Sequence, residues 1–362
     1  MIPSDMWHPL DAAGIKAERG VTSAAGLASR VTPLDEKQQV IKQEPEGSIM
    51  DRRGVLKSVM SIVGGAGLIA SGGGALAAEA QTSRVSPTKG PLAFVDSRDG
   101  VGLFYRDWGT GSPLVFLAPW GMDSDWWEYQ MAYLVGQGLR CIAYDRRGHG
   151  RSVEPSGGYD YDTLADDLND VIERLDLHGV TLVGHSMGCG EAVRYLSRHG
   201  AGRIARIAMV APNTPVVVKT ADNPDGVDRS VLEEGLARLS KDRQYVIATA
   251  APAFFNAPIN SVSAELMQWW TNMILKCSLR VLLDLRRMFT ETDFRSELSK
   301  ITLPTVVLHG DSDTSAPIDR TGRKTASLIS GSQLKVYEGA GRGLPITHMD
   351  RLNQDLLAFA RS

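Results

Sequence analysis

The sequence predicts a doubly wound α/β fold, built on a mainly parallel sheet of eight strands with an inserted helical cap. Three observations predict this fold. From about residue 91, short apolar runs bounded by turn residues alternate with helical patterns. Strand-like runs disappear between Pro212 and about Lys300. A serine flanked by glycines, Ser186, directly follows one of the apolar runs.

Eight apolar runs account for the sheet. The first two are joined by Arg98-Asp99-Gly100 and are predicted to form a hairpin, whereas several later runs are continuously apolar, as is typical of strands buried on both faces. The predicted strands are 94–97, 103–108, 114–118, 141–144, 180–183, 204–211, 305–308 and 334–337. Helices are predicted over 191–198 and 348–360, and Thr347 with Asp350 is expected to cap the last one.

The segment 213–300 is predicted to be the helical cap, between a first part of the core, 91–212, and a second part, 301–362. Ligands of open α/β sheets bind at the carboxyl ends of the strands, so we expect the cap to cover that edge. About half of its large apolar side chains are expected only to hold the cap to the core. These side chains are Phe254, Phe255, Met267, Trp269, Trp270, Met273 and Met288.

Composition excludes several function classes. The 362 residues carry a formal net charge of −3 and no long run of Lys or Arg, so we expect no nucleic-acid partner. The three cysteines, Cys141, Cys189 and Cys277, form no CxxC pattern and no cluster with histidine, so we expect no metal site. We expect all three to be small core residues.

Residues 50–80 resemble a twin-arginine export signal, and they predict a periplasmic or secreted protein. Arg52-Arg53 precedes a weakly apolar stretch that ends in possible cleavage sites around Ala75–Ala80. An uncleaved membrane anchor is the alternative, but the six glycines between 64 and 74 disfavour a spanning helix. Residues 1–49 are predicted to be a disordered leader, or to precede a true start at Met50.

The segment Gly184-His185-Ser186-Met187-Gly188 lies between a predicted strand and a predicted helix. In that context a GxSxG pattern forms a nucleophile elbow, because small residues two positions either side of the serine permit a sharp turn. The helix behind the serine presents amide groups to a developing oxyanion. Ser186 is therefore the predicted nucleophile.

An acid that orients a catalytic base is expected after the strand 305–308. Asp313 is the first candidate and Asp311 the second, both within His309-Gly310-Asp311-Ser312-Asp313. The chain order of serine, then acid, matches the order found with nucleophile elbows.

These motifs resemble a known family, the cofactor-free haloperoxidases (perhydrolases) and related arylesterases of the α/β-hydrolase superfamily. The resemblance extends over nearly all of residues 92–361. It rests on Tyr144-Asp145-Arg146-Arg147-Gly148-His149-Gly150-Arg151-Ser152, on the elbow with Leu182-Val183 before it, on the Asp313 loop, on Leu334-Lys335-Val336-Tyr337-Glu338-Gly339-Ala340 and on the tail from Thr347-His348 to Phe359.

The resemblance implies an α/β-hydrolase fold, no cofactor and a small ester or acyl substrate. It also implies roles for individual residues. Ser186 matches the family's nucleophile and Asp313 its acid. The amides of Met187 and Trp120 match the oxyanion hole, although Ala118-Pro119 replaces the family's His-Gly before Trp120. Proline lacks an amide hydrogen, but the required donor is on Trp120.

One departure affects the chemistry directly. The family's catalytic histidine lies in a Pro-His-Gly triplet, where this chain reads Gly341-Arg342-Gly343. A guanidinium stays protonated and cannot accept the serine proton. Arg342 is expected instead to form an ion pair with Asp313. His348 is the candidate replacement base, and His149 and His185 are weaker candidates.

Three functions follow from this pattern. The first is a serine esterase on small esters, with slow turnover and perhydrolase or haloperoxidase side activity. The second is a catalytically impaired binding protein that keeps a pocket under the aromatic cap. A third possibility is a reaction in which Arg342 holds an anionic substrate by its carboxylate.

Overall fold

The computed structural model describes residues 93–362. Their core is one eight-stranded sheet in the order β1-β2-β4-β3-β5-β6-β7-β8. The strands are β1 (Phe94–Asp96), β2 (Gly102–Trp108), β3 (Pro113–Leu117), β4 (Arg140–Tyr144), β5 (Val180–His185), β6 (Ile204–Val210), β7 (Thr305–Gly310) and β8 (Gln333–Tyr337). The predicted α/β fold and its eight strands are confirmed.

The pairing of the strands brings one set of loops together. β1 and β2 are antiparallel, as are β2 and β4, and the remaining neighbours are parallel. Gly184 near the end of β5 pairs with Leu117 on one side and with Met209 on the other. The loops after β3, β5, β6 and β7 therefore leave the sheet at the same edge, which is where ligands bind in such sheets.

The apolar runs of the central strands are explained by burial. Every residue of β5 and β7 is buried, because helices cover both faces of the parallel sheet. The helices outside the inserted segment are α1 (Glu128–Gly136), α2 (Tyr161–Arg174), α3 (Met187–His199), α10 (Gly322–Leu328), α11 (Leu344–Thr347) and α12 (Met349–Ala360).

Two of the predicted helix boundaries differ from the structure. α3 begins at Met187, four residues before the predicted start, because Gly188 and Gly190 interrupt the apolar period without interrupting the helix. The predicted cap of the last helix is wrong. Thr347 is the last residue of α11, so the residue before α12 is His348, and its side chain makes no capping hydrogen bond.

The segment between β6 and β7 contains α4 (Arg229–Lys241), α5 (Arg243–Phe255), α6 (Ala257–Asn260), α7 (Ala264–Lys276), α8 (Leu279–Glu291) and α9 (Arg295–Leu298). Ser263 and Ser278 cap α7 and α8 by accepting the amides of Leu266 and Val281. The side chains of Phe255 and Trp270 are buried. Trp269 stacks on Trp126, which lies between β3 and α1, at a ring distance of 6.1 Å, so part of the aromatic set attaches this segment to the rest of the core.

The cysteines are confirmed as core residues: all three are free thiols and buried. Among residues 93–362, no helix is long and apolar enough to cross a membrane. The predicted leader at 1–49 and the predicted export signal at 50–80 lie outside the described residues.

Candidate active site

Ser186 occupies a strained turn between β5 and α3. Its backbone lies at φ +54° and ψ −115°, which a residue with a side chain rarely adopts. The Ser186 amide donates to the Val210 carbonyl at 2.9 Å. A Cβ added to Gly184 would lie 2.7 Å from the Gly188 carbonyl oxygen, and one added to Gly188 would lie 2.5 Å from the Leu117 oxygen. Glycine is therefore required on both sides of the serine.

The amides of Met187 and Trp120, predicted to form an oxyanion hole, have these surroundings in the structure. Met187 is the first residue of α3, so its amide is among those that a helix leaves without an internal partner. Trp120 follows β3, and its indole donates to the Leu282 carbonyl of α8 at 2.9 Å. Within the part of the chain that the structure describes, the Trp120 amide has no hydrogen-bond acceptor.

Asp313 is anchored in the loop after β7. One of its carboxylate oxygens accepts the amides of Ser315 and Ala316 at 2.9 and 3.0 Å, and the other lies 3.2 Å from His309 Nε2. Burial alone would raise the pKa of this carboxyl, but the Arg342 guanidinium and His309 hold it at about 2. The second candidate, Asp311, is exposed and accepts the Gly339 amide.

Arg342 joins the two predicted catalytic residues. Its Nη1 donates to Ser186 Oγ at 2.5 Å and to the Ala211 carbonyl at 3.3 Å. Its Nη2 lies 3.1 Å from Asp313 Oδ2, and the residue is only 6% exposed. The guanidinium thus forms the ion pair with Asp313 that the sequence predicts. It also donates a hydrogen bond to the Ser186 hydroxyl oxygen.

The loop that carries Arg342 is packed against the inserted segment. The Gly343 amide donates to the Phe254 carbonyl at 2.7 Å. A Cβ on Gly341 would lie 2.7 Å from the Phe254 oxygen, and one on Gly343 would lie 2.4 Å from the Phe255 ring. Two glycines are therefore needed for the loop to approach the end of α5, which fixes Arg342 beside Ser186.

His348 is not brought to the serine. Its Nδ1 lies 2.9 Å from Thr347 Oγ1, and its Nε2 lies 3.1 Å from the Glu338 carbonyl. Its ring also packs edge-on against Tyr337. Both ring nitrogens are therefore engaged away from Ser186, which contradicts the prediction of His348 as a replacement base.

The two weaker histidine candidates are also held elsewhere. Nδ1 of His185 accepts the Trp126 indole N–H at 2.9 Å, and its Nε2 donates to the Arg342 carbonyl at 3.1 Å. Burial and the Arg342 charge lower the pKa of His185 to about 3. His149 contacts the Arg147 carbonyl, and burial with the Arg146 charge lowers its pKa to about 4. Among residues 93–362, no imidazole hydrogen-bonds Ser186.

Comparison with known proteins identifies the family of this chain. The family model for the α/β hydrolase fold matches residues 112–348. A non-heme chloroperoxidase from Kitasatospora aureofaciens is 42% identical over 267 residues, which are 73% of this chain and 97% of that protein. The chain belongs to the α/β-hydrolase haloperoxidase/esterase family.

Another relative of this hydrolase and one solved structure support the same family. A bifunctional esterase/perhydrolase from Acinetobacter calcoaceticus is 37% identical over 276 residues, 75% of this chain and all of that protein. The crystal structure of a bromoperoxidase from Bacillus anthracis superposes with a TM-score of 0.72 at 35% identity, and it covers 75% of this chain and 100% of that one. The resemblance stated from the sequence is confirmed, and the protein is an α/β-hydrolase enzyme.

Sequence reasoning missed one residue of the hydrolase's site, His309. It is the second-last residue of β7, four residues before Asp313, and its Nε2 lies between Asp313 Oδ2 and the Ala316 carbonyl. Both neighbours are acceptors, so Nε2 carries the proton. The signal was present in the His309-Gly310-Asp311-Ser312-Asp313 motif, since a histidine at the carboxyl end of a strand faces the same edge as the acid. Among the described residues, no group of His, Cys, Asp or Glu is arranged to hold a metal ion.

Proposed function

We propose that this hydrolase is a serine esterase of low turnover on small esters. Ser186 would attack the acyl carbonyl, and the amides of Met187 and Trp120 would receive the developing oxyanion. The observation that carries the proposal is the backbone of Ser186 at φ +54°, because such strain at the start of a helix is typical of a nucleophile.

Low turnover follows from the partner of the serine. In a serine triad a neutral imidazole takes the hydroxyl proton, and Asp313 would orient that imidazole. Here Arg342 donates to Ser186 Oγ and has no lone pair with which to accept the proton. Serine hydrolases that lack a triad member keep about 10³–10⁴-fold acceleration over water from the oxyanion hole and binding. A slow esterase is therefore consistent with the site.

Perhydrolase or haloperoxidase activity would be a side reaction of the same serine. Relatives named for esterase and perhydrolase activity motivate this extension. Hydrogen peroxide would attack the acyl carbonyl of a Ser186 acyl-enzyme in place of water. The bond from that carbonyl to Ser186 Oγ would break, a peracid would leave, and a peroxide proton would restore the Ser186 hydroxyl.

The alternative function is a small-molecule binding protein that has lost the chemistry. It is favoured by the contacts of Arg342, which link Ser186 and Asp313 and occupy the space beside the nucleophile. In this alternative the ion pair holds the site closed, and Ser186 is an ordinary buried hydroxyl.

A fluorophosphonate probe distinguishes the two functions. We expect slow labelling of the native protein that is lost in Ser186→Ala, because an oxyanion hole favours attack by the serine even without a base. Labelling is followed by the mass of the intact protein. The absence of any labelling above that of Ser186→Ala would overturn the esterase and leave the binding protein.

The pH dependence of ester turnover is expected to lack an inflection between pH 6.5 and 9. Asp313, with a pKa of about 2, is already ionised, and His185, with a pKa of about 3, is already neutral. The guanidinium stays protonated throughout. We measure kcat/KM for p-nitrophenyl acetate, corrected for the spontaneous rate. A sigmoidal rise centred near pH 7 would show that a histidine acts as the base.

The lower limit of this pH range, 6.5, is set by the pH at which protonation begins to destabilise the fold. The pKa of Asp313 is depressed, so its stabilising contribution is complete above about pH 4 and is lost as the pH falls towards 2. His185 and His149 also have depressed pKa values, so the unfolded chain binds more protons and stability falls below about pH 6.5. Assays above that pH therefore report on chemistry rather than on unfolding.

A further inference from the structure

His185 lies directly before the nucleophile, and both nitrogens of its buried ring form hydrogen bonds. Nδ1 accepts the indole N–H of Trp126 at 2.9 Å, and Nε2 donates to the Arg342 carbonyl at 3.1 Å. An indole N–H can only donate, so Nδ1 carries no proton and the proton of the neutral ring is on Nε2. Burial and the Arg342 charge lower the pKa of the ring to about 3, so it is neutral at neutral pH. The ring is therefore a fixed link from Trp126 to the backbone of Arg342.

This link ties residue 342 to the nucleophile's own strand. His185 and Ser186 are consecutive residues, so their Cα atoms are about 3.8 Å apart. The pairing of His185 with Val210 holds the first residue, and the hydrogen bond from the Ser186 amide to the Val210 carbonyl holds the second. Nε2 of His185 thus holds the backbone of residue 342 to the same strand end that presents Ser186 Oγ.

Other anchors of the Arg342 loop lead to different elements. The Gly343 amide donates to the Phe254 carbonyl of α5 at 2.7 Å. The Ala340 carbonyl accepts the Ser312 amide, in the loop after β7, at 3.0 Å. These two hydrogen bonds place the loop against the inserted segment and against the loop of the acid. The hydrogen bond from the imidazole adds the connection to β5, on which the distance to the nucleophile depends.

The donor to His185 is itself held by the inserted segment. The Trp126 ring stacks on Trp269 of α7 at 6.1 Å and packs edge-on against Phe254 of α5 at 5.8 Å. Trp126 and His185 are both fully buried, so a hydrogen bond lost between them leaves buried polar atoms without partners. Packing of the inserted segment therefore fixes the tautomer of His185 and, through it, the backbone of residue 342.

We propose that His185 is a positioning residue, whose Nε2–H group holds residue 342 at a set distance from Ser186 while Trp126 fixes the tautomer. The ring touches no reacting atom, so it acts only through the side chain at position 342. That side chain is the guanidinium in native protein and the new base in Arg342→His. The effect on rate rests on the proposed esterase function, whereas the anchoring of the backbone does not.

Chemical modification of Arg342 tests the anchoring without any turnover. Phenylglyoxal reacts with arginine side chains, and the peptide that contains modified Arg342 is quantified by mass spectrometry. Native Arg342 should react slowly, because the residue is only 6% exposed. His185→Phe removes both ring nitrogens and should raise the rate at least about tenfold, as expected when local opening becomes easier. His185→Gln can accept the indole N–H and donate to the carbonyl, so its rate should stay within about threefold of native.

Leu182→Ala is the matched control for lost stability. Leu182 is fully buried in the same strand, and its replacement leaves a cavity without removing either hydrogen bond of His185. Its rate of Arg342 modification should stay within about threefold of native, because global unfolding of a domain stays rare. Equal rates in His185→Phe and Leu182→Ala would show a merely structural role and overturn the proposal.

A second measurement needs no destabilising variant. Nitrogen-15 spectra of the native protein with labelled histidine, assigned by comparison with His185→Gln, report which ring nitrogen carries the proton. We expect Nδ1 of His185 to be unprotonated and Nε2 to be protonated at neutral pH. A proton on Nδ1 would overturn the proposal even if His185→Phe does not fold.

The effect on rate is measured in Arg342→His, where residue 342 is a base. Adding His185→Phe should lower kcat for p-nitrophenyl acetate about tenfold and leave KM within about twofold, because the base is displaced while ester binding is kept. Adding His185→Gln or Leu182→Ala should keep most of the gain. A gain that His185→Phe does not reduce would sink the positioning role and keep the esterase. Faster Arg342 modification in His185→Phe, with Ser186 unreactive towards fluorophosphonate, would sink the esterase and keep the anchor.

Discussion

Replacing Arg342 with histidine is expected to raise kcat/KM for p-nitrophenyl acetate by at least tenfold. General-base catalysis by a positioned imidazole contributes about 10²–10⁴ in rate. The rest of the triad is in place, since Asp313 is ionised and held by the amides of Ser315 and Ala316. We expect no more than the lower part of that range, because Gly341 and Gly343 hold the loop against Phe254 and Phe255 and limit how far a shorter side chain can move towards Ser186.

Two controls separate a new base from the mere removal of a cation. Arg342→Gln removes the charge and supplies no base, so its turnover should stay within about threefold of native, as expected when general-base catalysis is absent from both proteins. Adding Asp313→Asn to Arg342→His should reverse most of the gain, because the acid fixes the tautomer of the new imidazole. Equal rates for Arg342→His and Arg342→Gln would refute the role assigned to Arg342.

Replacing Glu191 with glutamine is expected to lower the free energy of unfolding by about 3–5 kcal/mol, as for other buried ion pairs from which one partner is removed. Glu191 is fully buried and pairs with Arg146, whose side chain is 2% exposed. Tyr144 donates to the other carboxylate oxygen. The substitution leaves the Arg146 cation in the core without a counter-charge.

The Glu191→Gln substitution is also expected to make the loop that carries Trp120 less rigid. Arg146 donates from Nη2 to the Ala118 carbonyl at 2.5 Å and from Nη1 to the Pro119 carbonyl at 3.4 Å. Glu191 lies on α3, little more than one turn after Ser186. The buried pair thus connects the nucleophile helix to the loop opposite it, and its loss should also slow ester turnover.

Urea unfolding followed by tryptophan fluorescence measures the stability effect. The matched control is Glu234→Gln, which breaks the surface pair with Arg238 in α4, where the Glu234 side chain is 50% exposed. That change should cost less than about 0.5 kcal/mol, as is usual for exposed pairs one helical turn apart. A loss below 1 kcal/mol in Glu191→Gln would contradict the account of this pair.

The fold and the nucleophile could be predicted because their signals are local. The glycines of the elbow predict a sharp turn, and the structure places Ser186 at φ +54° within it. The buried strands are continuous apolar runs, so β5 and β7 were found with only their last residues missed. The identity of the residue opposite the serine also followed from matching motifs on both sides of Arg342.

The arrangement of side chains around Arg342 could not be predicted in the same way. Whether His348 reaches the serine depends on where the Gly341–Gly343 loop packs, and that is set by contacts with Phe254 and Phe255 in another segment. The same holds for the approach of Arg342 to Asp313, whose carboxylate is placed by nearby amides and by His309. Long-range packing of this kind leaves no periodic trace in the sequence.

The second-order rate constant for fluorophosphonate labelling of Ser186 is the most direct measure of how reactive the nucleophile is, since it does not depend on the natural substrate. It is compared at pH 8 in native protein and in Arg342→His, with Ser186→Ala as the background. We predict labelling at least tenfold faster in Arg342→His, as expected from adding a general base. Native labelling as fast as that of Arg342→His would contradict the claim that Arg342 leaves the serine without a base.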